Sequence, residues 1–181
     1  MALGSLTHEW TDAIVNPSNE TLGLTGNLAR AIVTGGPKIE QQCRAHGSIP
    51  QGGAVVTTGG ALGCRFVVHI VSPGTLYECN QVVKVAIQAA AQNNCKSIAF
   101  PPFGVLGSGL PLDQVAGYMV DTLVEAVKSN DISLIARIRL VGFKLEEKDA
   151  FETALQQAMQ GNPNIALPAQ PPPHCRQSTT K

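Results

Sequence analysis

At 181 residues with 44% hydrophobic side chains, the chain has enough apolar material for one core of ordinary size and too little length for two. Its 13 Lys and Arg balance 13 Asp and Glu without forming a basic block, which argues against binding a nucleic-acid backbone or an anionic membrane by charge alone. No stretch reaches the roughly 18 apolar residues of a membrane span, and the opening MALGSLTHEW carries no targeting pattern; a soluble intracellular protein, nuclear or cytoplasmic, is expected.

The first element in chain order is a short apolar strand, Ala13–Val15, which runs into Asn16 and Asn19. Gly26 and Asn27 then open a short helix to Val33, and Gly35-Gly36-Pro37 leads into a second, Lys38–His46, with proline where a helix tolerates it best. Strands follow at Ala54–Thr57 and Arg65–Val71, rich in Val and bounded by Gly and Pro. The helix expected over Tyr77–Asn93 places Val82, Val83, Ala86, Ala89 and Ala90 on one stripe. After a strand at Ser97–Phe100, Leu112–Lys128 repeats that pattern with Val115, Met119, Leu123 and Val127. A strand within Leu134–Phe143 and a helix over Glu146–Met159, with Phe151, Leu155 and Met159 at helical spacing, complete the series.

Strands alternating with helices imply an α/β fold, its sheet mostly parallel and covered on both faces. The run RFVVHIV suits a central strand of such a sheet, buried on both sides. From residue 161 to 181 the chain turns rich in Pro, Gln, Ser and Thr, so residues 1–160 are read as the domain and the remainder as a disordered tail or linker. Its PPP also suits a polyproline ligand for a partner, the rarer use of such a segment.

Five scattered cysteines (Cys43, Cys64, Cys79, Cys95, Cys175) and four histidines show no CxxC or HxxxH spacing, so neither a disulfide framework, a metal site nor a cofactor is expected. His69 lies within an apolar strand and is read as a buried structural histidine. The P-loop and GxGxxG patterns are both unmet. What remains is the set of polar and glycine-rich segments that follow strands, where open α/β sheets bind ligands. They are Asn16 to Asn27, the stretch FPPFGVLGSGLPLDQ with Gly104, Gly107 and Gly109, and Phe143-Lys144. Glycine loops that feed helix starts expose backbone N–H groups and a favourable dipole, so they hold phosphates without a lysine.

Three stretches of the chain carry a family likeness. DAIVNPSN is similar to the DAIVNAAN motif of macrodomains, RFVVHIVSP resembles their yVIHtVgP strand, and SIAFPPFGVLGSGLPLD resembles their SIAFPaigtGxxGfP segment, together covering Gly4 to Met159 in the family's order. The resemblance implies a three-layer α/β/α sandwich with a mixed, mostly parallel sheet that binds ADP-ribose, free or attached to proteins. It places Asn19 on the distal ribose; Gly26, Asn27 and Leu28 at the first phosphate loop; Gly104, Val105, Leu106, Gly107, Ser108 and Gly109 at the second; and Ser5, Leu6 and Phe143 around adenine. Asn16 is read as orienting the strand end.

The departures from the family pattern are specific. Thr25 and Asn27 replace glycines, Leu106 stands where a phosphate-facing glycine is usual, and Ser5 replaces the aspartate that accepts from the adenine amino group. Ala29 occupies the position where the hydrolytic branch carries an aspartate, and Glu20 is read as lying too far away to replace it. A reader of mono-ADP-ribosylated proteins is therefore expected. A mono-ADP-ribosyl hydrolase and a degenerate, non-binding scaffold are the alternatives. The family's first strand is expected to be missing or truncated, and the chain to belong to a longer multidomain protein.

Overall fold

The computed structural model describes residues 1–129 and 134–160. Within them six strands form one sheet: β1 (Ala2–Leu3), β2 (Ala13–Ser18), β3 (Ala54–Thr58), β4 (Phe66–Val71), β5 (Ser97–Phe100) and β6 (Arg137–Gly142). Their order across the sheet is β1-β6-β5-β2-β4-β3. Every pairing is parallel except β3 with β4, so the sheet is mixed and mostly parallel.

Five helices cover it: α1 (Asn27–Val33), α2 (Pro37–His46), α3 (Leu76–Gln92), α4 (Leu112–Lys128) and α5 (Leu145–Gln160). The stripes read from the sequence are the faces they bury, except that Val127, in the last turn of α4, is 58% exposed. Val82, Val83, Ala86 and Ala90 of α3 and Val115, Ala116, Met119 and Val120 of α4 pack with Phe151 of α5 against Val15, Val68, Ile70 and Ile98. On the other face Ile32 and Ile39, from α1 and α2, meet Ile14, Val67, Ala99 and Val141. Each Val or Ile so buried contributes about 1.5–3 kcal/mol through removal of apolar surface from water. Local signals fix the helix starts. Thr75 accepts from the Glu78 amide while the Glu78 carboxylate accepts from the Thr75 amide, a reciprocal cap on α3, and Pro37 opens α2.

Helix boundaries lie close to those read from the sequence, whereas strands differ more. β2 continues past Val15 to Ser18, because β4 supplies backbone partners as far as the Ser18–Val71 pair. β6 starts only at Arg137; Leu134 lies exposed in a turn before it. Two-residue β1 pairs with the end of β6, and a 3-10 turn at Leu6–His8 carries the chain on toward β2. The stretch read as a tail, 161–181, lies outside the described residues.

Candidate functional site

Parallel strands bring their carboxyl ends to one rim, and here the connections leaving that rim diverge. From β2 the chain enters α1 on one face, and from β5 it enters α4 on the other. Such a divergence leaves a crevice. Asn19, the start of α1, residues 104–109 and Phe143 all follow strand ends on this rim. Ser5 joins them because the Gly4 amide donates to the Gly142 carbonyl at the end of β6.

Asn19 stands exposed just beyond β2. Its Oδ1 accepts from the Gly23 amide at 2.7 Å and from the Thr21 hydroxyl at 3.1 Å, which folds residues 19–23 into a tight turn. Leu22 inside that turn takes a left-handed φ of 56° and is 3% exposed. Its side chain packs with Cys43, Ile49, Val55 and Val71, and that burial offsets a backbone cost of about 1–2 kcal/mol. With Oδ1 engaged in the turn, Nδ2 has no hydrogen-bond partner among the described residues.

The two glycine segments differ in build. Gly26 caps α1 in extended geometry, its carbonyl accepting from the Arg30 amide, and Asn27 Oδ1 accepts from Arg30 Nη2 at 2.5 Å. The Asn27 side chain is thereby tied back along its own helix. Gly104 is buried with φ 69°, and an added Cβ would sit 2.7 Å from Leu110 Cδ1 and 2.9 Å from the Pro73 carbonyl. Only glycine fits there. Its carbonyl accepts from the Ser108 and Leu110 amides, and the Ser108 hydroxyl donates to the Pro73 carbonyl at 2.8 Å, joining this loop to the end of β4. Leu106, which the family pattern casts as an obstruction, is 80% exposed.

Around β6, Phe143 is 75% exposed while its amide and that of Lys144 donate to Glu147 Oε2. The ring is held at the rim with its faces open. The Ser5 hydroxyl is hydrogen-bonded to the Thr7 hydroxyl at 2.8 Å, and Leu6 is buried against Ile14 and Ile32. Leu6 is therefore core, and only the backbone at this position is left to meet a ligand.

Beneath the rim lies a buried polar network. His69 pairs with Asn16 in the register of β4 and β2; Asn16 Nδ2 stands 3.0 Å from Nδ1, with Thr57 Oγ1 at 2.9 Å and Cys43 Sγ at 3.6 Å from Nε2. Burial, aided by His46, pushes the His69 pKa down to about 4, so the imidazole is neutral at physiological pH. Burial also raises the Cys43 thiol, leaving it unreactive. The four cysteines among the described residues are buried and free, and those residues hold no group of three or more His, Cys, Asp or Glu placed to bind a metal ion. No helix among them is long and apolar enough to cross a membrane.

A cleft of about 590 Å³ opens on the rim, lined by Ser18, Asn19, Glu20, Thr21, Gln51, Val71, Ser72, Gly107 and Ser108. It brings Asn19 together with Gly107 and Ser108, as the motifs imply. Ser5, Phe143 and residues 26–28 stand on the same rim but do not line this cleft. Of its polar residues Gln51 escaped the sequence reading, whereas Ser18 and Thr21 fall within the segment from Asn16 to Asn27 and Ser72 within RFVVHIVSP; Glu20, read as too far away to replace the hydrolytic aspartate, also lines the cleft. Gln51 was not findable, because it precedes the antiparallel β3 and the rule about carboxyl ends misses it. A second cleft of about 490 Å³, between His8, Trp10, Thr34 and Leu62, holds none of these residues.

The comparisons agree with this architecture. A family model described as Macro domain matches residues 15–119. An uncharacterized protein of Aeropyrum pernix is 31% identical over 146 residues, covering 76% of this chain and 77% of that protein. The human protein mono-ADP-ribosyltransferase PARP14 is 24% identical over 152 residues, covering 83% of this chain; the match spans only 8% of that protein's length. Among solved structures, the Trypanosoma brucei macrodomain in complex with ADP-ribose superposes with a TM-score of 0.80 at 23% identity, covering 85% of this chain and 67% of the other. With that family model matching more than half of its length, this chain belongs to the macro domain family.

Proposed function

We propose that this chain binds ADP-ribose, free or as a mono-ADP-ribosyl group on proteins, along the rim with its distal ribose in the cleft, and acts as an intracellular reader in the nucleus or cytoplasm, within a longer multidomain protein. The observation that carries the reading is Asn19: its Oδ1 is occupied by the turn, and the residue lines a cleft shared with Gly107 and Ser108. Adenine is assigned to the open face of Phe143, with Ser5 beside it, the diphosphate to the backbone amides of 26–28 and 104–109, and the distal ribose to Asn19. Relatives in the same family support the assignment, among them a macrodomain solved with ADP-ribose.

Binding without turnover is favoured because Ala29, 3% exposed, occupies the position of the hydrolytic carboxylate and the 26–28 loop has no acid. The test is a titration of the whole chain with ADP-ribose, followed by incubation of a mono-ADP-ribosylated peptide with substoichiometric protein. Saturable binding without release of ADP-ribose supports a reader, and release over many turnovers replaces it with a hydrolase.

A further inference from the structure

The order of strands fixes the direction in which an ADP-ribose lies. Adenine over β6, diphosphate over β5 and β2, and distal ribose at the β2 end leave β4 and β3 beneath whatever the ribose is attached to. That far part of the cleft is built by Glu20 and Thr21 from the turn after β2, Gln51 from the loop before β3, and Ser72 from the loop after β4. The loops 19–26, 47–53 and 72–75 contain no lysine or arginine, and among the described residues Glu20 is the only charged one lining the cleft. Nearby charges do not reverse this. Arg44 is tied to Glu40 at 2.7 Å, the Glu78 carboxylate is spent on the Gly74 and Thr75 amides, and His46 ends α2 exposed.

We infer that Glu20 makes this site selective for ADP-ribosyl groups carried on basic stretches of protein. The inference rests on the reading of the cleft as an ADP-ribose site. A carboxylate adjoining the ribose-binding asparagine attracts lysine or arginine flanking the modified residue and repels flanking Asp or Glu. Because Glu20 is exposed, the effect is screened by salt.

The experiment titrates the whole chain with free ADP-ribose and with two peptides, each bearing one serine-linked ADP-ribose, flanked by lysines in one and by glutamates in the other. At low salt the lysine-flanked peptide is expected to bind at least about threefold more tightly. That difference should shrink in about 0.5 M salt, where the screening length falls to a few ångströms, and in Glu20→Gln. Equal affinities for the two peptides, with free ADP-ribose still bound, would overturn the selectivity and leave the binding site standing. A preference that persists unchanged in Glu20→Gln would overturn the role of Glu20. Failure of free ADP-ribose to bind would remove the underlying reading and the inference with it.

Discussion

Replacing Asn19 with alanine separates two jobs that its amide performs on opposite sides. On the proposed reading Nδ2 donates to the ribose, while Oδ1 holds the 2.7 Å bond from the Gly23 amide and the 3.1 Å bond from Thr21. Losing the donor from a ribose contact costs about 1–3 kcal/mol of binding, or roughly 5- to 150-fold in affinity. Losing the acceptor loosens a turn that is exposed and water-accessible, worth about 0.5–1.5 kcal/mol of stability, or a few degrees in melting temperature for a domain of this size. Asn19→Asp keeps an acceptor for Gly23 and removes the donor, so its turn persists while it too loses affinity. Titration calorimetry with ADP-ribose, paired with thermal melts of both variants, reads the two effects apart. Asn19→Ala binding within twofold of the parent protein would refute the assignment of the distal ribose to this residue.

Three other substitutions or conditions probe the rest of the account. Phe143→Ala removes a ring that is 75% exposed, so melting should change little while ADP-ribose affinity falls several-fold through lost stacking; equal loss for a ligand lacking adenine would show that the ring does not stack. Gly104→Ala should destabilise the chain by about 1–3 kcal/mol from its left-handed backbone alone, and more from the contacts a Cβ would make, with denaturant melts as the readout. His69 carries a folded pKa of about 4 against an ordinary 6.5. The unfolded chain therefore binds more protons between those values, and stability is full above pH 6.5 and falls as pH drops toward 4, by about 3 kcal/mol from this residue. His69→Gln should flatten that part of the pH profile.

The helices were legible because their signals are local. A stripe at 3.6-residue spacing or a Pro at the first turn does not depend on the remainder of the fold, and α3 and α4 buried the faces their sequences displayed apart from Val127. The strand ends were less legible because pairing partners set them: Pro17 and Ser18 belong to β2 only because Ile70 and Val71 lie alongside. In the cleft, Asn19 and Gly107 followed from motif and position at strand ends. Gln51 did not, since an antiparallel edge strand brings its preceding loop to the ligand rim by topology alone. The setting of Leu106 was not legible either: the turn built by the Ser108 and Leu110 amides on the Gly104 carbonyl, which leaves its side chain in solvent, is not visible in the motif.

The measurement that bears most directly on the central claim is calorimetric titration of the whole chain with ADP-ribose, alongside ADP and AMP. The account predicts saturable one-to-one binding of ADP-ribose in the micromolar range, with ADP weaker because it lacks the distal ribose that Asn19 engages. No heat of binding at millimolar ADP-ribose would contradict it, leaving the macro domain fold without its ligand.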